Sequence, residues 1–92
     1  KQNLEKAFEL QQSNQLDAAI TLFENILNKT PDQPDALHGL GLAYAQKHAF
    51  PKAIPYFQQA IKLSPENAPY HNNLGNCYKA MGKTQEAMVH YR

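Results

Sequence analysis

Four histidines, His38, His48, His71 and His90, and one cysteine, Cys77, are the side chains in this chain best suited to bind a metal, carry a proton or attack a substrate. Their spacing does not assemble them into a site. A zinc-binding HExxH helix needs two imidazoles one turn apart, and no two of these histidines stand four residues apart. Cys77 lies between Asn76 and Tyr78 with no basic partner placed to lower its pKa, so it is expected to pack as a small apolar group. No Ser/His/Asp order with motif support, P-loop or GxGxxG occurs, and Gly39-Leu40-Gly41 sits inside a helical pattern rather than after a strand. Neither catalysis, a metal nor a cofactor is expected of this segment. What remains with recognition chemistry is a cluster of amides, Asn72, Asn73 and Asn76. Each amide carries both a donor and an acceptor and can pair with the main chain of an extended peptide, whatever that peptide's side chains are.

Bulk composition narrows the partners. Nine Lys and Arg against eight Asp and Glu give a formal charge of +1, too little field to gather nucleic acid or an anionic membrane. A lone cysteine forms no internal disulfide, which favours a reducing compartment such as the cytoplasm. No apolar run approaches the ~20 residues that span a bilayer, and positions 1–12 are too polar for a signal peptide. Ninety-two residues make at most one domain of modest stability. The chain reads as a piece of something longer, beginning within one structural unit and stopping inside a helical pattern.

The elements that must position the amides come from a repeat. Leu40, Gly41, Tyr44, Ala53, Phe57 and Pro65 recur thirty-four residues later as Leu74, Gly75, Tyr78, Ala87 and Tyr91, and thirty-four earlier as Ala19, Phe23 and Pro31. A period of this length means stacked supersecondary units, each too small to bury its apolar face alone. Apolar spacing predicts helices over about 2–13, 16–28, from 34 to 47 or 48, and 50–63, with a fifth from 68 or 69 to 82 and a sixth opening at Thr84. Pro31 and Pro65 stop the second and fourth helices. Pro55 removes a hydrogen bond one turn into the fourth helix and predicts a kinked or frayed first turn there. Glycine and alanine at Gly41, Gly75, Ala19, Ala53 and Ala87 mark where paired helices approach closest, with Phe23, Leu40, Tyr44, Phe57 and Tyr78 filling the space around the contact.

A large apolar residue, Leu-Gly, Tyr, then Ala, an aromatic, a small residue and Pro at this spacing resembles the tetratricopeptide repeat. The resemblance implies an all-α, right-handed superhelix (α-solenoid) of three antiparallel helix pairs, the last truncated. It forms a single domain over 1–92 with units of about 1–33, 34–67 and 68–92. The resemblance also implies a non-catalytic module that holds a protein or extended peptide in a concave groove lined by the first helix of each pair. On that basis the groove carries Phe8 and Gln12 from the first unit, Asp35, His38, Leu42 and Gln46 from the second, and Asn72, Asn73, Asn76 and Lys79 from the third. Three rows at the repeat spacing are expected: Leu4, His38 and Asn72; Phe8, Leu42 and Asn76; Gln11, Ala45 and Lys79. Gly39 and Asn73 should lie on the neighbouring edge. The amides would hold main chain while Phe8 and Leu42 accept an apolar side chain.

Finer resemblances set limits. Repeats of this family that clamp a C-terminal carboxylate carry Lys, Asn and Arg where this chain has Leu4, Phe8, Gly39, Pro69 and Asn73, so that mode is disfavoured. The run Asn72-Asn73-Leu74-Gly75-Asn76, with Gly82, Glu86-Ala87 and His90-Tyr91-Arg92, is similar to repeats preceding the catalytic part of O-GlcNAc transferases. The segment would then be the substrate-selecting arm of a larger enzyme. A third reading is self-association through an apolar face at Ala87, Met88 and Tyr91.

Overall fold

The computed structural model describes residues 2–82, and these form five helices with no strand among them: α1 (Gln2–Gln12), α2 (Leu16–Lys29), α3 (Pro34–Gln46), α4 (Phe50–Leu63) and α5 (Ala68–Ala80). Consecutive helices pack on one another, giving two complete hairpins, α1–α2 and α3–α4, and the first helix of a third. The expected sixth helix, with Ala87, Met88 and Tyr91, lies outside the described residues, as does His90. Among the described residues no helix is long and apolar enough to cross a membrane.

Local chemistry repeats with the fold. Two residues after the first helix of each hairpin stands a residue in the left-handed region, Asn14 (φ 65°), His48 (φ 63°) and Gly82 (φ 82°), thirty-four residues apart. Glycine and asparagine adopt this conformation at little expense, and a histidine does so against its preference. Gln33 and Asn67 cap α3 and α5 by accepting the backbone N–H of Asp35 and Tyr70, with Pro34 and Pro69 in the first turns, where a missing N–H leaves nothing unsatisfied. Thr30 and Ser64 close α2 and α4 by donating their N–H groups to the carbonyls of Ile26 and Ala60. Helix α4 runs without interruption through Pro55. Pro51, the residue that a helical Pro55 N–H would reach, is exposed, as Pro55 is, so the omission falls on the solvent side.

Three buried clusters lie along the stack, bridged by the half-buried Tyr44, Tyr56 and Ile61. Ala7, Ala19, Phe23, Ala36 and Ala43 are fully buried in the first hairpin and its junction with the second, and Ala53, Phe57 and Ala60 are fully buried further along with Leu74 and Cys77. The closest approach is not simply one small residue against another within a pair. A Cβ built on Gly41 would stand 2.8 Å from the Phe57 ring, so the glycine receives an aromatic edge. Gly39, expected on the groove edge, is buried instead: a Cβ there would fall 2.3 Å from Cζ of Phe23, on the preceding hairpin. Tyr44, half-buried, stacks on Tyr56 at 5.7 Å between ring centroids, and Gly75 and Tyr78 are buried in α5.

Candidate functional site

The first helices α1, α3 and α5 lie side by side, and hydrogen bonds cross from each to the next. Gln11 Nε2 donates to Gln46 Oε1 at 2.7 Å, Tyr70 Oη donates to Asp35 Oδ1 at 2.8 Å, and Asn73 Nδ2 lies 2.6 Å from His38 Nε2. All three bonds join residues thirty-five apart. The lateral neighbour of a position is therefore its repeat equivalent plus one, and the expected rows at spacing thirty-four are corrected by one residue. Gln11 illustrates the consequence. Instead of completing an open row with Ala45 and Lys79, it is buried and turned toward Gln46.

Phe8 is half-buried, its ring in a T-shaped contact with that of Phe23 with centroids 5.1 Å apart, so part of it is committed to the core. Leu42 is half-buried against the Ala53–Phe57–Leu74 cluster. Gln12, Asp35, Gln46, Asn72, Asn76 and Lys79 are exposed, and His38 and Asn73 are half-buried. The His38 ring lies 4.5 Å from that of Tyr70 and 5.5 Å from that of Phe57. His71 Nε2 lies 2.8 Å from the carbonyl oxygen of Pro65. No buried side-chain nitrogen or oxygen among the described residues lacks a partner.

Electrostatics follow from that packing. Burial pulls the His38 pKa below its ordinary 6.5, a shift partly offset by the nearby Asp35 carboxylate, so the imidazole is neutral at physiological pH. Burial pushes the Tyr70 phenol well above its usual range, and its hydrogen bond to Asp35 adds to the effect. The Cys77 thiol, buried in α5, is pushed up to about 11 by burial. A thiol held that far toward its protonated form is a poor nucleophile at neutral pH. No group of three His, Cys, Asp or Glu side chains gathers as metal ligands among the described residues. Tyr70, which ties α5 to α3 through Asp35, is the participant that sequence reasoning missed, while Gln11 was placed on the groove but given the wrong neighbour. Tyr70 stands thirty-five residues from Asp35, an offset set by how one first helix lies on the next and not by the repeat length.

Stacked helical hairpins with this internal period and a polar face shared by their first helices define a helical-repeat binding scaffold. A tetratricopeptide repeat model matches residues 4–68, a second matches residues 56–88, and the chain belongs to the tetratricopeptide repeat family. That family's array is a protein–protein interaction module, and the repeat itself is non-catalytic. Among curated relatives, "Protein O-mannosyl-transferase TMTC3" of Mus musculus is 29% identical over 75 residues, 82% of this chain and 8% of that protein. The Petunia hybrida protein "Probable UDP-N-acetylglucosamine--peptide N-acetylglucosaminyltransferase SPINDLY" is 30% identical over 83 residues, 90% of this chain and 9% of that protein. The chain thus spans less than a tenth of either relative. Among solved structures, MamA from Desulfovibrio magneticus RS-1 superposes with a TM-score of 0.92 at 28% identity, covering 97% of this chain and 50% of that one. The Yersinia enterocolitica type III secretion translocator chaperone SycD gives 0.93 at 18% identity, over 97% of this chain and 67% of that one, a likeness of fold.

Proposed function

We propose that the chain holds an extended segment of a partner protein in the concave groove formed by α1, α3 and α5. The observation that supports this reading is the three cross-helix bonds, which tie α1, α3 and α5 together, beside the exposure of Gln12, Gln46, Asn72 and Asn76 and the half-exposure of Asn73 on those helices. Exposed amides supply donors and acceptors to a peptide main chain, while the outward parts of Phe8 and Leu42 receive an apolar side chain. Asp35 and Lys79 add one charge of each sign, which orients a ligand without making the groove a polyanion site. A reducing compartment such as the cytoplasm suits the free, buried Cys77.

The test is affinity selection of peptides by display, followed by replacement of Asn72 and Asn76, both exposed and therefore removable without disturbing the core. The double alanine variant should weaken the selected peptides at least tenfold while remaining folded and helical. Binding that survives at full strength would place the site off the groove.

A second reading is favoured by the likeness to the Petunia hybrida protein across 90% of the chain. In it the same groove selects substrates for a glycosyltransferase domain elsewhere in a longer polypeptide. The full-length sequence decides it: a glycosyltransferase domain on the same chain supports it, and its lack removes it. Self-association through the C-terminal helix would involve residues outside those described, and concentration-dependent light scattering tests it. A strict monomer at high concentration would end that reading.

A further inference from the structure

His38 is not itself an open groove residue, yet it sets what the groove presents. Its ring is enclosed by Tyr70 of α5 and Phe57 of α4, with centroids 4.5 and 5.5 Å away, so it has little freedom to rotate. Its Nε2 lies 2.6 Å from Asn73 Nδ2. An amide nitrogen has only protons to offer, so Nε2 accepts, the imidazole proton sits on Nδ1, and the Asn73 carbonyl oxygen is the end left for the half-exposed side. Among the described residues, the titratable groups facing His38 are Asp35 on its own helix and Tyr70 on α5, while α4 presents the apolar Phe57. Tyr70 donates its hydroxyl proton to Asp35, so the two are already committed to each other. No charge from α1 or α4 contributes to the titration of His38.

We propose that His38 is a positioning residue for peptide capture: adding a proton to its Nε2 turns the Asn73 amide end for end, so that the groove presents a donor in place of an acceptor. Once Nε2 carries a proton it donates, and the nearest group able to receive is the Asn73 oxygen, which a half-turn of the amide brings inward. Nothing else need move, because the ring stays between Phe57 and Tyr70. A peptide bound at neutral pH through a backbone N–H on Asn73 Oδ1 loses that bond in acid and meets two N–H protons instead. Burial holds the neutral form through physiological pH, with the change falling on the acid side of 6.5. Loss of one such hydrogen bond corresponds to about three- to tenfold weaker binding.

This inference rests on the groove reading, and its two measurements separate the failures. Without ligand, nitrogen-15 and side-chain amide spectra of the chain are followed from pH 8 to pH 5. The neutral His38 should be the Nδ1–H tautomer, and the Asn73 amide resonances should shift with the same midpoint as His38. An Nε2–H tautomer, or an Asn73 amide indifferent to the His38 titration, overturns the proposal whatever binds. With ligand, random ten-residue peptides selected by display at pH 7.5 should bind about three- to tenfold more weakly at pH 5.5. In His38→Gln, whose side-chain oxygen accepts from Asn73 without titrating, that dependence should disappear. In Asn73→Ala it should disappear too, although His38 still titrates. Equal pH dependence in the parent chain and both variants refutes the proposal, and selected peptides that map outside α1, α3 and α5 refute the groove reading and this inference with it, the spectra notwithstanding.

Discussion

Replacing Gly39 by alanine is the sharpest test of how the hairpins stack. The added methyl would stand 2.3 and 2.4 Å from Cζ and Cε1 of Phe23, where carbon atoms normally rest about 3.5–4.0 Å apart. The ring would have to retreat by more than an ångström. It has nowhere to go, since Phe23 is fully buried and Phe8 stands edge-on against it. Overpacking of this kind costs about 1–3 kcal/mol, and the severity of the clash argues for the upper end. Alanine's better helix propensity returns about 1 kcal/mol, leaving a net loss of about 1–2 kcal/mol. For a chain of this size that lowers the melting temperature by roughly 5–15 °C, read by circular dichroism. Gly41→Ala, whose nearest contact is 2.8 Å from one edge of Phe57, should lose less. Adding Phe23→Leu to Gly39→Ala should destabilise by less than the two single changes summed, because the smaller side chain vacates the space the methyl needs. A Gly39→Ala chain as stable as the parent, or simple additivity in the double variant, would refute the idea that the ring of one hairpin is seated on the next helix.

Other outcomes follow from the same geometry. His48→Gly relieves a histidine at φ 63° and should raise stability by about 0.5–1 kcal/mol, seen as a higher urea midpoint at unchanged slope, even after loss of its ring contact with Phe50. Ala53→Leu should lower the melting temperature far more than Gln58→Leu, because Ala53 is fully buried whereas Gln58 is exposed and loses only a 3.3 Å bond to the Tyr78 hydroxyl. The folded chain holds His38 below its unfolded value of 6.5, so this residue's contribution is intact above that pH. It is lost as the pH falls and the unfolded chain takes up a proton that the folded one resists. Urea unfolding at pH 7.5 and 5.5 should show a smaller loss in His38→Gln than in the parent.

The repeat was legible because helix pairing writes it twice: the apolar spacing within each helix and the recurrence of Leu40, Ala53 and Phe57 every thirty-four residues have one cause, burial of one stripe against a neighbour. Boundaries came within two residues for all five helices, and Pro31 and Pro65 fix the ends of α2 and α4 by removing a donor and forcing an extended residue before them. What stayed hidden were contacts between units. Nothing local to Gly39 distinguishes a glycine on an edge from one beneath a ring sixteen positions back, because its neighbour is chosen by the angle at which hairpins stack. The offset of thirty-five escaped for the same reason: the repeat length says which residues are equivalent, while the tilt of one first helix on the next says which residues touch. The left-handed ends at Asn14, His48 and Gly82 carry a residue suited to that conformation at two of three places, and the histidine breaks the pattern.

Gly39 and Asn73 are counterparts, thirty-four residues apart on successive first helices. One accommodates the ring of Phe23, while the other bears the amide that meets His38. Phe57, the counterpart of Phe23, finds its lodging against Gly41 and His38, which frees position 73 for polar use. The units are consequently not interchangeable modules. Shuffling them, as engineered arrays of identical repeats permit, would drive an amide into Phe23 or strip His38 of its companion, so the order in which the hairpins are strung is itself heritable information about what the molecule can grasp.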